Sequence, residues 1–413
     1  MGGFIDASPS PFHAVATAAA SLAAAGFIEL DESSMWSKSE PTAFFRRGAS
    51  LVAWRSGRAE AGFRIVGAHT DSPNLRIKPQ PDTGAAGIAQ LGVEVYGGAL
   101  LNSWLDRDLG LSGRLAVAGT AGIEEHLVLI DRPVLRVPQL AIHLDGEISD
   151  RGLKLNKQSH MAPIWRQGTS SAGAFAEWIA DEAGVAVDAL RGWDLMAHDL
   201  TPSGALGAAD DFYAAPRIDN LASCYAAVSA LCADTAADTT LVICLFDHEE
   251  VGSVSSTGAA SSLLPQALGR IHETLGGTAS TLPLVLSASS CISADGAHAT
   301  HPNYPDRHEP DHQISLNGGP VIKRNANERY ATDAIGQAIA EEACRAADIP
   351  FQLFVNRTDL GCGSTIGPVT AAQLGITTVD MGIAQLSMHS ARELCGVEDP
   401  ARLVAALGAY FAM

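Results

Sequence analysis

The run Thr239-Thr-Leu-Val-Ile-Cys-Leu245 constrains this chain more than any other stretch. A half-buried strand alternates apolar and polar residues. A run apolar at nearly every position reads instead as a strand buried on both faces. Such a strand belongs inside a sheet with helices on either side, which places the chain in the α/β class. It leads into Phe246-Asp-His-Glu-Glu-Val-Gly-Ser253, so two adjacent carboxylates stand at its C-terminal end. In open α/β sheets that edge is where ligands bind. Neighbouring side chains leaving a strand point in different directions, so Glu249 and Glu250 are expected to divide two tasks, one holding a metal and the other moving a proton. Alone, the pair reads more readily as a solvated acidic turn, and only the rest of the chain reverses that; His248 before it is expected to be structural.

Other stretches repeat the arrangement. Gly62-Phe-Arg-Ile-Val66 reads as a strand and runs into Gly67-Ala-His-Thr-Asp-Ser-Pro73, which puts His69 and Asp71 just past its end. An Asp two residues after a His can orient the imidazole and fix its tautomer. Leu282-Pro-Leu-Val-Leu-Ser287 is expected to be another buried strand leading toward Asp295. Ile376-Thr-Thr-Val-Asp-Met-Gly-Ile383 is a further one, followed by Gln385-Leu-Ser-Met-His389. Residues 215–232 read as a helix with Asp219 or Asn220 near its N-cap. An Asp there satisfies orphan N–H groups, and a carboxylate so held is also placed to receive a metal. His298, His301, His308 and His312 lie among Pro302, Pro305 and Pro310, with no helix to align them, so Asp295 is the better ligand candidate in that region.

The chain is long enough for two domains, since single cores rarely grow past about 250–300 residues. Its texture changes near Gly84, where Leu91–Gly98, Gly113–Ala118, Leu127–Ile130 and Leu140–Leu144 suggest short strands between Gly, Asp and Pro breaks. Residues 84–214 are therefore expected to form a β-rich domain inserted into one made of 1–83 and 215–413. Ser10 at the N-cap, Pro11 at the first position and Gly26 after the end define a capped helix near the start. His13 within it is expected to pack rather than ligate.

The formal net charge is −19. Binding phosphate needs a basic face, so nucleic acid and anionic membrane are poor partners. An acidic substrate would need a local cationic pocket. Seven scattered cysteines without a Cys-x-x-Cys pair suit free thiols in a reducing compartment. No Lys or Arg precedes Lys38 to form a secretory n-region, and no span suits a membrane, so cytoplasm is the expected location.

Gathered together, His69, Asp219, Glu250, Asp295 and His389 offer two imidazoles and three carboxylates. That set suits a borderline divalent ion, Zn²⁺, Mn²⁺ or Co²⁺. If one carboxylate bridges, five ligands hold two ions, as in two-metal hydrolytic sites.

At this point the chain resembles the aspartyl aminopeptidase family of cocatalytic metallopeptidases. The matching segments run from Ser8-Pro-Ser-Pro-Phe-His13 and Ala68-His-Thr-Asp-Ser-Pro73 through Tyr96-Gly-Gly, Trp104–Leu109, Leu140-Ala-Ile-His-Leu144 and Arg217-Ile-Asp-Asn-Leu221. They continue in Asp247–Ser253, Ala299–Tyr304, Gly319-Pro-Val-Ile-Lys323, Gly363–Pro368 and Gln385-Leu-Ser-Met-His-Ser390. The resemblance implies a metallopeptidase domain, with a mixed, mainly parallel sheet flanked by helices, and an inserted β-rich dimerisation domain. It further implies that Asp219 bridges two metals, with His69 and Asp295 on one and Glu250 and His389 on the other. Glu249 would be the general base and Asp71 the partner of His69. His143 would reach a neighbouring subunit's active site, and the dimers would build a tetrahedral homo-oligomer, a dodecamer. The implied substrates are peptides beginning with Asp or Glu, and Lys323 is the candidate cation for that acid. His143 as a core histidine and Lys323 as a surface lysine stay open. So do a broader aminopeptidase, an N-acyl amino acid deacylase and a non-catalytic, metal-holding assembly protein.

Overall fold

The computed structural model describes residues 1–37, 40–120, 122–233 and 238–413, and counts below refer to these described residues. Two compact units divide the chain. Met1–Asp71, Ser203–Met388 and Glu393–Met413 form the larger, while Ser72–Pro202 and His389–Arg392 form the smaller. The division falls earlier than the 84–214 read from the sequence. The strand Asn74–Ala85 starts directly after Pro73 and pairs antiparallel with Ile88–Tyr96, so residues 74–83 belong to the smaller unit's sheet. At the other end Phe212–Ala215 pairs with Glu393–Gly396 in a sheet of the larger unit.

The larger unit is built on a nine-stranded mixed sheet. Its centre is four parallel strands in the order Thr240–Phe246, Phe63–His69, Ser290–Ala294, Thr377–Gly382. Val321–Arg324 continues the sheet antiparallel to Thr377–Gly382, and Ser50–Arg55 lies antiparallel on the other flank. Both faces are covered, which explains the unbroken apolar run. Leu241, Ile243 and Leu245 pack into one core, with Leu221 and Cys224 of the helix Ile218–Cys232 and Leu403 and Leu407 of Asp399–Phe411. Val242, Cys244 and Phe246 face the opposite core, against Leu264, Leu268 and Ile271 of the helix Leu263–Thr274. A second sheet, of five short strands, joins Ala384–Leu386 to Glu393–Gly396 and Ala297–His298.

Two local expectations fail. Leu282–Ser287 is a helix, with Leu284 70% exposed. Length and apolarity alone do not separate a short buried strand from a helical turn, and Pro283 in the first turn is tolerated in a helix. The strand that carries Asp295 is Ser290–Ala294, fully buried. Ile142–Leu144 is a single exposed 3₁₀ turn rather than a strand.

The smaller unit is an antiparallel six-stranded sheet. Leu75, Leu91, Leu111 and Leu195 form its core with Phe175 and Ile179 from the helix Ala174–Glu182.

Candidate metal centre

Register brings the candidate residues of the larger unit to one sheet edge. His69 is the last residue of its strand and lies beside Phe246 in the parallel ladder, so the turn carrying Glu249 and Glu250 begins next to it. Asp295 directly follows Ser290–Ala294, which pairs with the His69 strand on its other side. Asp219 comes from the start of the helix Ile218–Cys232, where it and Asn220 depart from helical geometry. The residue at the N-cap of that helix is Arg217 rather than Asp219 or Asn220, and the Asp219 amide donates to Glu393 Oε2 at 2.9 Å.

The side chains converge. His69 Nε2 lies 3.4 Å from Asp219 Oδ1, 3.8 Å from Asp295 Oδ1 and 3.9 Å from Glu249 Oε2. Ligand atoms of His69, Asp219 and Glu250 all fall within 4.8 Å of one another. His69, Asp71, Asp219 and Asp295 are buried, and the two glutamates are partly so. One imidazole and several carboxylates gathered at that spacing are the donor set a divalent ion such as zinc takes, so the residues present fit a metal.

Asp71 connects the parts. Its Oδ1 is 3.3 Å from His69 Nδ1 and accepts the Glu249 amide at 3.1 Å, and its Oδ2 accepts the Glu250 amide at 3.1 Å. His69 Nδ1 also lies 3.0 Å from the Asp71 main-chain carbonyl, so Asp71 orients the ring through backbone and carboxylate together, and its carboxylate fixes the backbone of the pair. Behind it, His248 takes a left-handed conformation (φ 63°), and its Nδ1 lies 2.9 Å from Ser255 Oγ. The Asp247 amide donates to Ser50 Oγ, which donates to the Thr257 carbonyl. His248 Nδ1 also lies 3.3 Å from Thr257 Oγ1, so its ring packs within this turn.

Charge is concentrated here. Burial pulls the His69 imidazole down, but hydrogen bonding to Asp219, Asp295 and Asp71 and the charge of Glu249 hold it well above its ordinary value. Burial lifts Glu249 to about 8, against the pull of His69 and with the help of Asp295, Asp219 and Asp71. A bound cation would invert this balance. Cys224 donates to the His69 carbonyl at 3.0 Å, and burial pushes its thiol up to about 12, leaving a neutral structural group.

Lys323 is 1% exposed rather than on the surface. Its ammonium donates to the Gly296 carbonyl at 2.9 Å, lies 3.5 Å from Asp295 Oδ2 and sits 4.9 Å from the Tyr330 ring centre. His389 groups with the smaller unit, in a left-handed conformation, with Nδ1 3.2 Å from the Gly98 carbonyl oxygen. His143, also in that unit, is exposed. Sequence reasoning missed Glu393 as the partner of Asp219 and both amide contacts of Asp71, because backbone partners leave no spacing signal.

A buried imidazole–carboxylate cluster at the C-terminal edge of a mainly parallel sheet, with a further carboxylate beside it, is how metallohydrolases are built. Comparison with known proteins narrows this to a family. The description "aminopeptidase I zinc metalloprotease (M18)" matches residues 4–411, and the chain belongs to that family of metallo-aminopeptidases. It is 50% identical over 415 residues to a probable M18 family aminopeptidase 2 of Streptomyces coelicolor, covering 98% of this chain and 95% of the relative. Among solved structures, an Ape4–Nbr1 complex superposes with TM-score 0.94 at 37% identity, covering 99% of this chain and 84% of that one. The S. cerevisiae mApe1 dodecamer does so with TM-score 0.86 at 30% identity, covering 99% and 94%.

Proposed function

We propose that this chain is a two-metal aminopeptidase that removes N-terminal Asp or Glu from peptides. The observation that carries the reading is the buried meeting of His69, Asp219 and Glu250 beside Glu249. His69, Asp219, Asp295, Glu250 and His389 would hold two ions, zinc by the family's description, with Asp219 shared between them. Bound there, the ions would polarise the scissile carbonyl and supply hydroxide at neutral pH.

The chain's own residues do the rest. Glu249 accepts the proton of the attacking water and passes it to the departing amine. Its carboxylate, 3.9 Å from His69 Nε2 and partly exposed, is placed for both transfers. Asp71 keeps His69 in one tautomer and Glu249 in place. Lys323 is a buried cation beside the cluster in a chain of net charge −19, which supports an acidic substrate group docking there. His143 would come from a second copy. The exposed Leu140, Ile142 and Leu144 around it support a segment that docks on another subunit, and the dodecamer formed by the yeast relative supports a homo-oligomer of that kind. Seven free cysteines suit a reducing cytoplasm. Among the described residues no helix is long and apolar enough to cross a membrane.

The test is a panel of peptides differing only in their N-terminal residue, free or acetylated, with metal content measured on the same sample. Chelation should abolish hydrolysis, and Glu249→Gln should lower kcat by about 10²–10⁴-fold with metal retained. Lys323→Met should reduce rates on N-terminal Asp far more than on Ala. Equal rates across the panel would refute the acidic preference, and cleavage of acetylated substrates alone would point to a deacylase.

A further inference from the structure

Gln385 lies in the strand Ala384–Leu386, paired with Ala297–His298 on one side and Glu393–Gly396 on the other. It is 1% exposed, yet among the described residues neither its amide oxygen nor its amide nitrogen has a hydrogen-bond partner. Leaving such groups buried and unmatched is destabilising. Replacing them with apolar atoms of the same shape would remove that cost, so a fold gains nothing structural by keeping them.

The surroundings indicate what completes the amide. A Cβ built on Gly296 would lie 3.1 Å from Gln385 Nε2 and 3.2 Å from both its Cδ and Met388 Cε. The amide therefore rests against the Gly296 backbone, and the absence of a side chain at 296 leaves it that room. The Gly296 carbonyl in turn receives the Lys323 ammonium, and Asp295 precedes it. Gln385 and Lys323 thus approach one short segment next to the imidazole–carboxylate cluster. Lys323 already divides its donors between Gly296 and Asp295, whereas the Gln385 NH₂ group is uncommitted.

We propose that Gln385 is a specificity-determining residue whose amide N–H, together with Lys323, receives the side-chain carboxylate of the substrate's N-terminal residue. In a site closed to water such a donor discriminates strongly, because its loss leaves a buried charge under-coordinated. This rests on the acidic preference proposed above, and the experiment separates the two.

The panel is run on wild type, Gln385→Leu and Gln385→Glu, with metal content and thermal stability recorded for each. Gln385→Leu should lower kcat/KM on N-terminal Asp and Glu roughly 10- to 100-fold, and change rates on Ala by less than about 3-fold. Gln385→Glu, which puts a carboxylate against the same Gly296 segment that Lys323 reaches, should remove acidic substrates selectively whether or not the Leu variant folds. If wild type prefers acids and both variants keep its Asp-to-Ala ratio, the assignment of Gln385 is overturned. A wild type without acidic preference overturns the underlying reading as well.

Discussion

At the scale of single residues, the proposed division of labour between Glu249 and Glu250 would depend on a third carboxylate. Asp71 accepts both of their amides while facing His69 Nδ1, so one residue sets the positions of a ligand candidate and of the proposed base. Asparagine is a sharp probe, because it offers one acceptor oxygen and turns an NH₂ group toward the other amide. One of the two contacts would then be repulsive. Loss of such orienting partners typically costs about 10–100-fold in metal affinity or activity. Asp71→Asn should show a loss of that size in both zinc affinity and kcat, with KM little changed. Retention of wild-type zinc affinity and turnover would show that the carboxylate is dispensable.

At the scale of elements, the strands that end in chemistry were legible and several other features were not. Thr240–Phe246 and Phe63–His69 could be read because burial on both faces removes the polar half of the usual alternation. Leu282–Ser287 could not, since six mostly apolar residues carry too little periodicity to separate a strand from a helix. The edge of the insertion was displaced because Asn74–Ala85 has a polar outer half, burying Leu75 and Ile77 but few residues beyond. Gln385 sat in a recognised segment, but its unmatched amide is a property of packing, invisible in a string of letters. The first long helix was read correctly, Pro11–Ala24 with Ser10 as cap. Within it, burial and the nearby charge of Arg217 push His13 down to about 4, and its Nδ1 lies 2.7 Å from Ser10 Oγ. An unfolded histidine titrates near 6.5, so between these values the unfolded chain binds more protons than the folded one. Stability from this group is therefore present above about pH 6.5 and lost as the pH falls toward 4, on the order of 1–3 kcal/mol in all. His13→Gln should flatten that part of the curve of Tm against pH. If variant and wild type lose stability in parallel across the window, the shift is absent.

At the scale of the whole molecule, the question is whether one chain suffices for one site. A chain of net charge −19 repels its own copies at long range, so assembly needs short-range attraction to offset it. Leu140, Ile142 and Leu144, 59%, 57% and 75% exposed, offer apolar contact around His143. If His143 works in a neighbour's site, two inactive variants should rescue each other. A subunit with Glu249→Gln still presents His143, and a subunit with His143→Ala still holds Glu249, so a mixed pair contains one site with both groups intact. Random pairing at equal amounts makes about half of the dimers mixed, each with one competent site of two, and activity should return to about a quarter of wild type. The measurement is hydrolysis of an N-terminal Asp peptide by co-expressed subunits, compared with the two variants purified separately and combined without exchange. Action within one chain predicts no recovery on co-expression, because then no subunit carries both residues. Recovery near a quarter would place His143 in the partner's site and make the dimer the smallest active form.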